Sequence, residues 1–178
     1  KLWDSSHLQF EEKDGALFLR DRRIELVFSG ADAGFSLLRI VQRATGRNFV
    51  SKNQGAWWSL ELSGPKGEKK TVDSSAEAQR TYFLHRQTVL TYPESHPIRK
   101  WFWRYSLHLI WDDVKVPWSK GSVKVTAICS LWNGHDGEAR WNFAVENRSD
   151  DIAVETVNVP QIALGCDTAH PDRDVFTT

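Results

Sequence analysis

The chain has 178 residues, of which 40% are apolar and 26% charged, a composition typical of a folded globular domain and not of a disordered chain. Its 23 Lys and Arg residues balance its 23 Asp and Glu residues, so it lacks the basic surplus expected of a protein that binds nucleic acid or an anionic membrane. No apolar run approaches the roughly 20 residues that a membrane-spanning helix needs.

The sequence contains no methionine and two cysteines, Cys129 and Cys166. Because translation starts with methionine, we expect that Lys1 is not the start of the gene product. Either a leader has been removed, or residues 1–178 are one domain of a longer multidomain chain. Cys129 falls on an apolar strand face, where a free cysteine acts as a small buried hydrophobe, so we favour free thiols over a disulfide with Cys166. Two cysteines are compatible with either a reducing or an oxidising cellular compartment.

Alternating apolar residues predict short strands in the first half of the chain, although the first dozen residues show no clear period. From Gly15 onward, two strands meet at a turn at Asp21-Arg22, and a third strand covers residues 35–41. The segment WWSLEL, residues 57–62, predicts another strand with Trp58 facing inward and Trp57 facing the other way.

Longer strands are predicted in the second half of the chain, at residues 81–90 and 98–111. The second of these places six large apolar side chains on one face: Trp101, Trp103, Tyr105, Leu107, Leu109 and Trp111. His108 falls on its opposite, more polar face, beside Arg104 and Ser106.

Residues 121–149 show the clearest pattern, because apolar residues alternate in two arms on either side of NGHDG. This pattern predicts a long antiparallel hairpin, whose tip uses residues that tolerate positive φ. Beyond the hairpin, Val157 is out of phase with Val154, which predicts a β-bulge near Glu155–Thr156 or a change of sheet.

About ten strands without a convincing amphipathic helix predict an all-β fold. A sheet that is apolar on one side must bury that side against another layer. We therefore expect an antiparallel β-sandwich with little helix, formed by residues 1–178 as a single domain. The strands are long and uneven, which favours a sandwich over a closed barrel.

Several segments together resemble the N-terminal β-sandwich domains of large bacterial glycoside hydrolases, which have the galactose-mutarotase-like, or supersandwich, fold. The similarity covers roughly residues 15–165. It begins with the hairpin LFLRDRRIELVF and the turn motif from Gln42 to Phe49, and continues through WWSLEL. It ends with RWNFAVENRSDDIAVETVNVPQIALG, which holds Trp141, Asn147 and Pro160-Gln161-Ile162 in the family's order.

This resemblance implies that the domain precedes a catalytic (β/α)-barrel outside this chain, packs against it, and lends a loop to its sugar site. It slightly favours a secreted or periplasmic location. The histidine and glutamate motifs of true sugar mutarotases are absent from the sequence, so the resemblance does not imply mutarotase activity.

No catalytic residue, metal site or cofactor site is predicted. Asp112-Asp113 and Asp150-Asp151 are adjacent pairs, which suit turns better than the opposed carboxyl groups of a glycosidase. Neither the six histidines nor the two cysteines have zinc-ligand spacing. His135 with Asp136, or His170 with two nearby aspartates, remains an alternative cation site.

The nine tryptophans supply candidates for sugar stacking or for contact with another domain. Most fall on apolar strand faces, whereas Trp57 and Trp132 face away and Trp3 and Trp118 lie in irregular segments. Of these four, Trp57, Trp118 and Trp132 are the candidates, together with His108 and His135. Three hypotheses follow. The leading one is a non-catalytic accessory domain of a carbohydrate-active enzyme, whose partner is the catalytic domain of the same polypeptide. The second is an oligosaccharide-binding module that uses an outward tryptophan, and the third is an aldose-epimerase-like enzyme with His108 as its acid.

Overall fold

The computed structural model describes residues 7–51, 54–90, 101–133 and 137–162. Among these residues the backbone forms twelve β-strands and no α-helix, apart from a 3-10 turn at Ala31–Ala33. All strand pairs are antiparallel, and the strands form three sheets. The prediction of an all-β antiparallel sandwich with little helix is therefore confirmed. No helix of the described ranges is long and apolar enough to span a bilayer.

The first sheet has five strands that follow one another in chain order. They are β1 (Gln9–Lys13), β2 (Ala16–Arg20), β3 (Ile24–Ser29), β4 (Leu37–Gln42) and β5 (Arg47–Asn48). The predicted turn at Asp21-Arg22 joins β2 to β3, and Leu17 lies opposite Phe28 across that pair. Strand β1 was not predicted, because its mostly exposed residues, QFEEK, carry no apolar alternation.

The second sheet has four long strands in the order β11-β10-β9-β8. They are β8 (Gln79–Leu90), β9 (Trp101–Val114), β10 (Val123–Trp132) and β11 (Ala139–Asn147). Strands β10 and β11 are the two arms of the predicted hairpin, paired from Val123 with Asn147 to Leu131 with Ala139. Alternate residues of β10 are at most 1% exposed, and they form the inner face of this sheet: Val123, Val125, Ala127, Cys129 and Leu131.

The third sheet has three strands in the order β12-β6-β7, namely β6 (Ser59–Ser63), β7 (Lys69–Asp73) and β12 (Ala153–Asn158). The register of β12 against β6 shifts between Val154 and Thr156. This shift confirms the predicted bulge. A bulge adds one residue to its strand, which moves Val157 out of phase with Val154, and this change of phase is the sign that the sequence carries.

One aromatic cluster joins the three sheets into two layers, with the four-stranded sheet on one side and the other two sheets facing it. Trp57 lies 5.9 Å from Phe28 of β3, 5.7 Å from Trp111 of β9 and 5.5 Å from Trp141 of β11 between ring centroids. Trp58, next to β6, lies 5.1 Å from Trp111. Tilted and edge-on rings at these distances attract beyond the burial of their area. Aromatic rings therefore fill the core where the sheets meet.

A buried carboxylate fixes the position of the hairpin tip relative to the first sheet. Asp21 is fully buried, and its Oδ1 accepts hydrogen bonds from the backbone N–H groups of Arg23 at 2.6 Å and Ile24 at 2.7 Å. Its Oδ2 accepts a third from the N–H of Gly137 at 2.7 Å. Gly137 has a φ of 90°, which favours glycine at this position. Asp21 thus ties the β2–β3 turn to the end of the β10–β11 hairpin.

Candidate binding face

The candidate site is the outer face of the four-stranded sheet, the side that points away from the shared core. Successive side chains of a strand alternate between faces, so the strand register places these outward residues in cross-strand rows. Four rows are Thr81, Ile110, Thr126 and Ala144; Phe83, His108, Ile128 and Asn142; His85, Ser106, Ser130 and Arg140; and Gln87, Arg104 and Trp132. A further row, at the Thr81 end, holds Gln79, Asp112, Lys124 and Glu146. We call this set the outer face. Of the five sequence candidates, it brings together His108 and Trp132.

The centre of the outer face is an apolar patch, which we define as Phe83, Ile110 and Ile128 with the His108 ring. Phe83 is 48% exposed, although it is a large apolar residue. Its ring stacks on the imidazole of His108 with centroids 4.2 Å apart and planes 17° apart. The two isoleucines lie beside His108, one on its own strand and one directly across on β10. The patch is therefore contiguous across three strands.

His108 lies in a cationic environment. Burial lowers the pKa of its imidazole, and electrostatic interactions with His85 and with the Arg104 guanidinium lower it further. The rings of His85 and His108 are 6.3 Å apart between centroids. A lowered pKa keeps His108 neutral near pH 7, so it is a poor proton donor there.

Trp132 lies at one corner of the outer face, between two arginines from the neighbouring strands. The guanidinium carbon of Arg104 on β9 is 4.9 Å from the indole centroid, and that of Arg140 on β11 is 5.1 Å from it. Such contacts stabilise a cation over an aromatic face. They also leave Trp132 without the bare ring that sugar stacking uses.

Two serines between the apolar patch and this corner hold β9 and β10 together on the outer side. Ser106 and Ser130 are 4% and 3% exposed, and their hydroxyl oxygens are 2.7 Å apart, within hydrogen-bond distance. Because these two serines point outward and are nevertheless buried, longer side chains next to them must cover them. The outer face therefore has a packed layer of its own.

The predicted outward orientation of Trp57 is wrong. Trp57 is only 1% exposed, and its Nε1 donates a hydrogen bond to the backbone oxygen of Phe35 at 2.9 Å. The alternation that assigned it outward applies only inside a strand, and β6 begins at Ser59. Trp57 precedes that strand and fills the space where the three sheets meet, so it is removed from the candidate binding residues.

Trp118 packs locally, and His135 lies outside the described residues. Trp118 is partly buried against the core, and a Cβ added at Gly64 would lie only 2.7 Å from its indole Nε1. The indole therefore lies directly against the backbone of the 63–69 loop, and Gly64 leaves the space for it. Trp118 lies in the loop after β9, so it is not one of the outward strand positions that form the outer face.

The aspartate pairs have structural partners. Arg148 donates to Asp112 at 2.6 Å, and Asp113 forms an ion pair with Lys115 at 2.7 Å. Hydrogen bonds from Ser119 and Ser149 hold the pKa of Asp151 below its usual value. The predicted turn is wrong for Asp112-Asp113, which belong to the end of β9, where Asp113 has a φ of 61°. Asp150-Asp151 lie in a turn after β11, as predicted. In the described ranges, no group of three or more His, Cys, Asp or Glu side chains is placed to hold a metal ion.

Cys129 is a buried free cysteine, as the sequence predicts. Burial raises the pKa of its thiol, so it has no nucleophilic character near neutral pH. Cys166, the other half of the possible disulfide, lies outside the described residues.

The comparisons with known proteins identify no relative of this chain. No protein-family model, no curated protein and no solved structure matches it. The function of this chain is therefore inferred from its β-sandwich fold and from the chemistry of the outer face.

Proposed function

We propose that this chain is a non-catalytic accessory β-sandwich domain of a carbohydrate-active enzyme, and that its outer face docks onto a catalytic domain outside this chain. The observation that carries the proposal is the composition of the outer face. The four rows from Thr81 to Gln87 include aromatic, aliphatic, arginine, amide and hydroxyl side chains but no Lys, Asp or Glu, whereas Asp112, Lys124 and Glu146 lie in the row at one end of the face. Aromatic residues and arginine are enriched in protein interfaces, whereas lysine and the acidic residues are depleted from them.

The apolar patch at the centre of the face adds to this support. A soluble domain rarely leaves a contiguous apolar surface uncovered unless another molecule binds there. Phe83 and His108 form a flat stacked pair in the middle of the patch. An aromatic anchor with polar side chains around it is the usual arrangement of an interface core and its rim.

The carbohydrate context comes from the resemblance of residues 15–165 to the N-terminal supersandwich domains of bacterial glycoside hydrolases. In those enzymes the reacting carboxyl groups lie in the barrel that follows. Asp112, Asp113 and Asp151 are engaged in ion pairs and hydrogen bonds within the domain, which suits an accessory role and leaves hydrolysis to the partner domain.

The two alternative hypotheses have less support. A sugar platform needs an open aromatic ring, but Trp57 is in the core and Trp132 has a guanidinium over its ring from each neighbouring strand. An epimerase needs a proton donor, but the surroundings of His108 lower its pKa. Both observations favour a domain that works through a surface and not through a reaction of its own.

The docking proposal predicts opposite behaviour for two matched variants of the full polypeptide encoded by the gene. Phe83→Glu places a carboxylate in the middle of the apolar patch, whereas Leu38→Glu places one on β4 of the other layer. The two wild-type side chains are similarly exposed, Phe83 at 48% and Leu38 at 45%. Burying an unpaired charge costs about 2 kcal/mol or more. We expect Phe83→Glu to uncouple this domain, so that calorimetry shows it unfolding separately from the rest of the polypeptide.

Leu38→Glu should leave the unfolding of the full polypeptide unchanged. In the isolated 178-residue chain both variants should change the unfolding free energy by no more than about 0.5 kcal/mol, the usual range for surface substitutions. Equal unfolding profiles for the two variants in the full polypeptide would contradict docking through this face, and so would a gene that encodes no further domain.

A further inference from the structure

One corner of the outer face has the shape and the charge of a small binding site. We call it the cationic corner and define it by Arg104, Ser130, Trp132, Arg140 and Asn142. These residues line an open depression of about 460 Å³ on the sheet surface. Ligand sites of about 300–1,000 Å³ are typical for small molecules, so the depression has room for one or two sugar rings.

The two guanidinium groups of the cationic corner are held in place by the tryptophan between them. Arg104 and Arg140 come from β9 and β11, and each lies about 5 Å from the Trp132 ring on the intervening strand. Stacking on an indole orients the flat guanidinium without using its N–H donors. Stacking therefore leaves the N–H donors at the edges of each guanidinium to bind a carboxylate or a sulfate, apart from the Arg104 Nη2 and Arg140 Nε groups, which donate to Gln87 and Glu138.

The protein itself uses little of this donor capacity. Arg104 donates from Nη2 to Gln87 Oε1, and its buried Nε has no hydrogen-bond partner among the described residues. Arg140 pairs with Glu138 at 2.7 Å, but both side chains are about half exposed, at 51% and 48%, and an exposed pair of this kind contributes only about 0–1 kcal/mol. The corner thus has two cations and a weak, solvent-exposed counter-charge at its rim.

One residue that lines the depression has an amide side chain that can bind the hydroxyl groups of a ligand. Asn142 supplies an amide with two donors and an acceptor, and such groups pair with the hydroxyls of a sugar. The Ser130 hydroxyl is already bonded to Ser106 and forms the floor of the depression. An anion alone would satisfy the arginines, whereas an anionic sugar would satisfy the arginines and Asn142 together.

We propose that the cationic corner binds an acidic saccharide, a sugar unit that carries a carboxylate or a sulfate group. This inference rests on the proposed carbohydrate context of the domain and adds to it the class of sugar. The cationic corner lies at the edge of the outer face, beside the apolar patch. A bound acidic sugar would therefore lie where this domain borders its catalytic partner.

The test is calorimetric titration of the isolated chain with three acidic oligosaccharides: tetragalacturonate, tetraguluronate and a chondroitin sulfate tetrasaccharide. We expect at least one to bind with a Kd below about 1 mM. The matched neutral probe is the fully methyl-esterified form of each uronate tetrasaccharide, or the desulfated and carboxyl-reduced form of the chondroitin tetrasaccharide, which should bind at least about tenfold more weakly because the charge-assisted hydrogen bonds are lost. The affinity should also fall as salt is raised from 50 to 300 mM, roughly as screening predicts.

Substitutions locate the site. Arg104→Gln and Arg140→Gln should each weaken binding by about tenfold or more. Arg148→Gln is the control, since Arg148 is also partly exposed but follows β11 at the opposite end, where it pairs with Asp112 and Glu146; it should bind as the wild type does. Circular dichroism and thermal unfolding of each variant verify that the fold is retained.

Each of these results would overturn the inference: no binding of any of the three acidic oligosaccharides, equal binding of the acidic and neutral forms, or equal loss of affinity in Arg148→Gln. Inorganic sulfate and hexaglutamate are titrated in parallel. If either binds as tightly as the best oligosaccharide, the corner is a general anion site or a protein contact, and the saccharide assignment is wrong. Because the titration uses the isolated chain, its failure is distinguishable from a failure of docking, which is measured in the full polypeptide.

Discussion

Replacing Asp21 with alanine is expected to destabilise the protein by about 3–5 kcal/mol, since hydrogen bonds to a charged group contribute about 1.5–3 kcal/mol each and are not fully additive. The carboxylate is fully buried and accepts three backbone hydrogen bonds, from Arg23, Ile24 and Gly137. The variant leaves these donors without an acceptor and frees the tip of the β10–β11 hairpin from the first sheet. Urea unfolding followed by tryptophan fluorescence measures the change.

Asp21→Asn refines this expectation, because asparagine can keep the two hydrogen bonds within the turn through its Oδ1. Its amide nitrogen then meets the N–H of Gly137, and two donors face each other. We expect a loss of about half that of Asp21→Ala, concentrated in the contact with the hairpin. Asp32→Ala, at an exposed residue of the 3-10 turn, is the control and should have little effect. A loss below about 1 kcal/mol for Asp21→Ala would show that the contact between turn and hairpin is dispensable.

Trp57→Ala is expected to cost about 3–5 kcal/mol, the range for removing a large aromatic side chain from a core. Its indole contacts aromatic rings on β3, β9 and β11, so the cavity opens where the sheets meet and no single strand can close it. Trp57→Phe keeps part of the ring volume but leaves the backbone oxygen of Phe35 without its donor. We expect this variant to lose about half as much. Denaturant unfolding of both variants provides the measurement.

The matched control is Trp132→Ala on the outer face, where the side chain is half-buried and packs between arginines instead of inside the core. It should cost clearly less than Trp57→Ala. The opposite order, with Trp132 the costlier residue, would mean that Trp57 does not join the layers as described.

Features that depend on residues close together in the sequence were predictable. The β10–β11 hairpin follows from alternation along each arm, and the bulge in β12 follows from the slip between Val154 and Val157. The orientation of His108 toward the outer face follows from its neighbours in β9. In each case the alternation of apolar and polar residues along one strand indicates which face is buried, because exposing apolar side chains to water is unfavourable.

Features that depend on contacts between distant segments were not predictable. Trp57 was assigned outward because alternation was extended past the start of β6, whereas its position is set by rings that lie far away in the sequence. The cationic corner depends on register, which places Arg104 and Arg140 on either side of Trp132. A single sequence does not reveal the register of three strands, although the arginine at residue 104 was already visible on the same face as His108.

The central claim is that another domain of the same polypeptide covers the apolar patch at the centre of the outer face. Hydroxyl-radical footprinting tests it most directly, because it reports the solvent exposure of individual side chains. We predict that Phe83, Ile128 and His108 are oxidised in the isolated 178-residue chain and protected in the full polypeptide, while Leu38 and Val157, exposed elsewhere at 45% and 44%, react equally in both. Equal oxidation of Phe83 in the two samples would contradict the account.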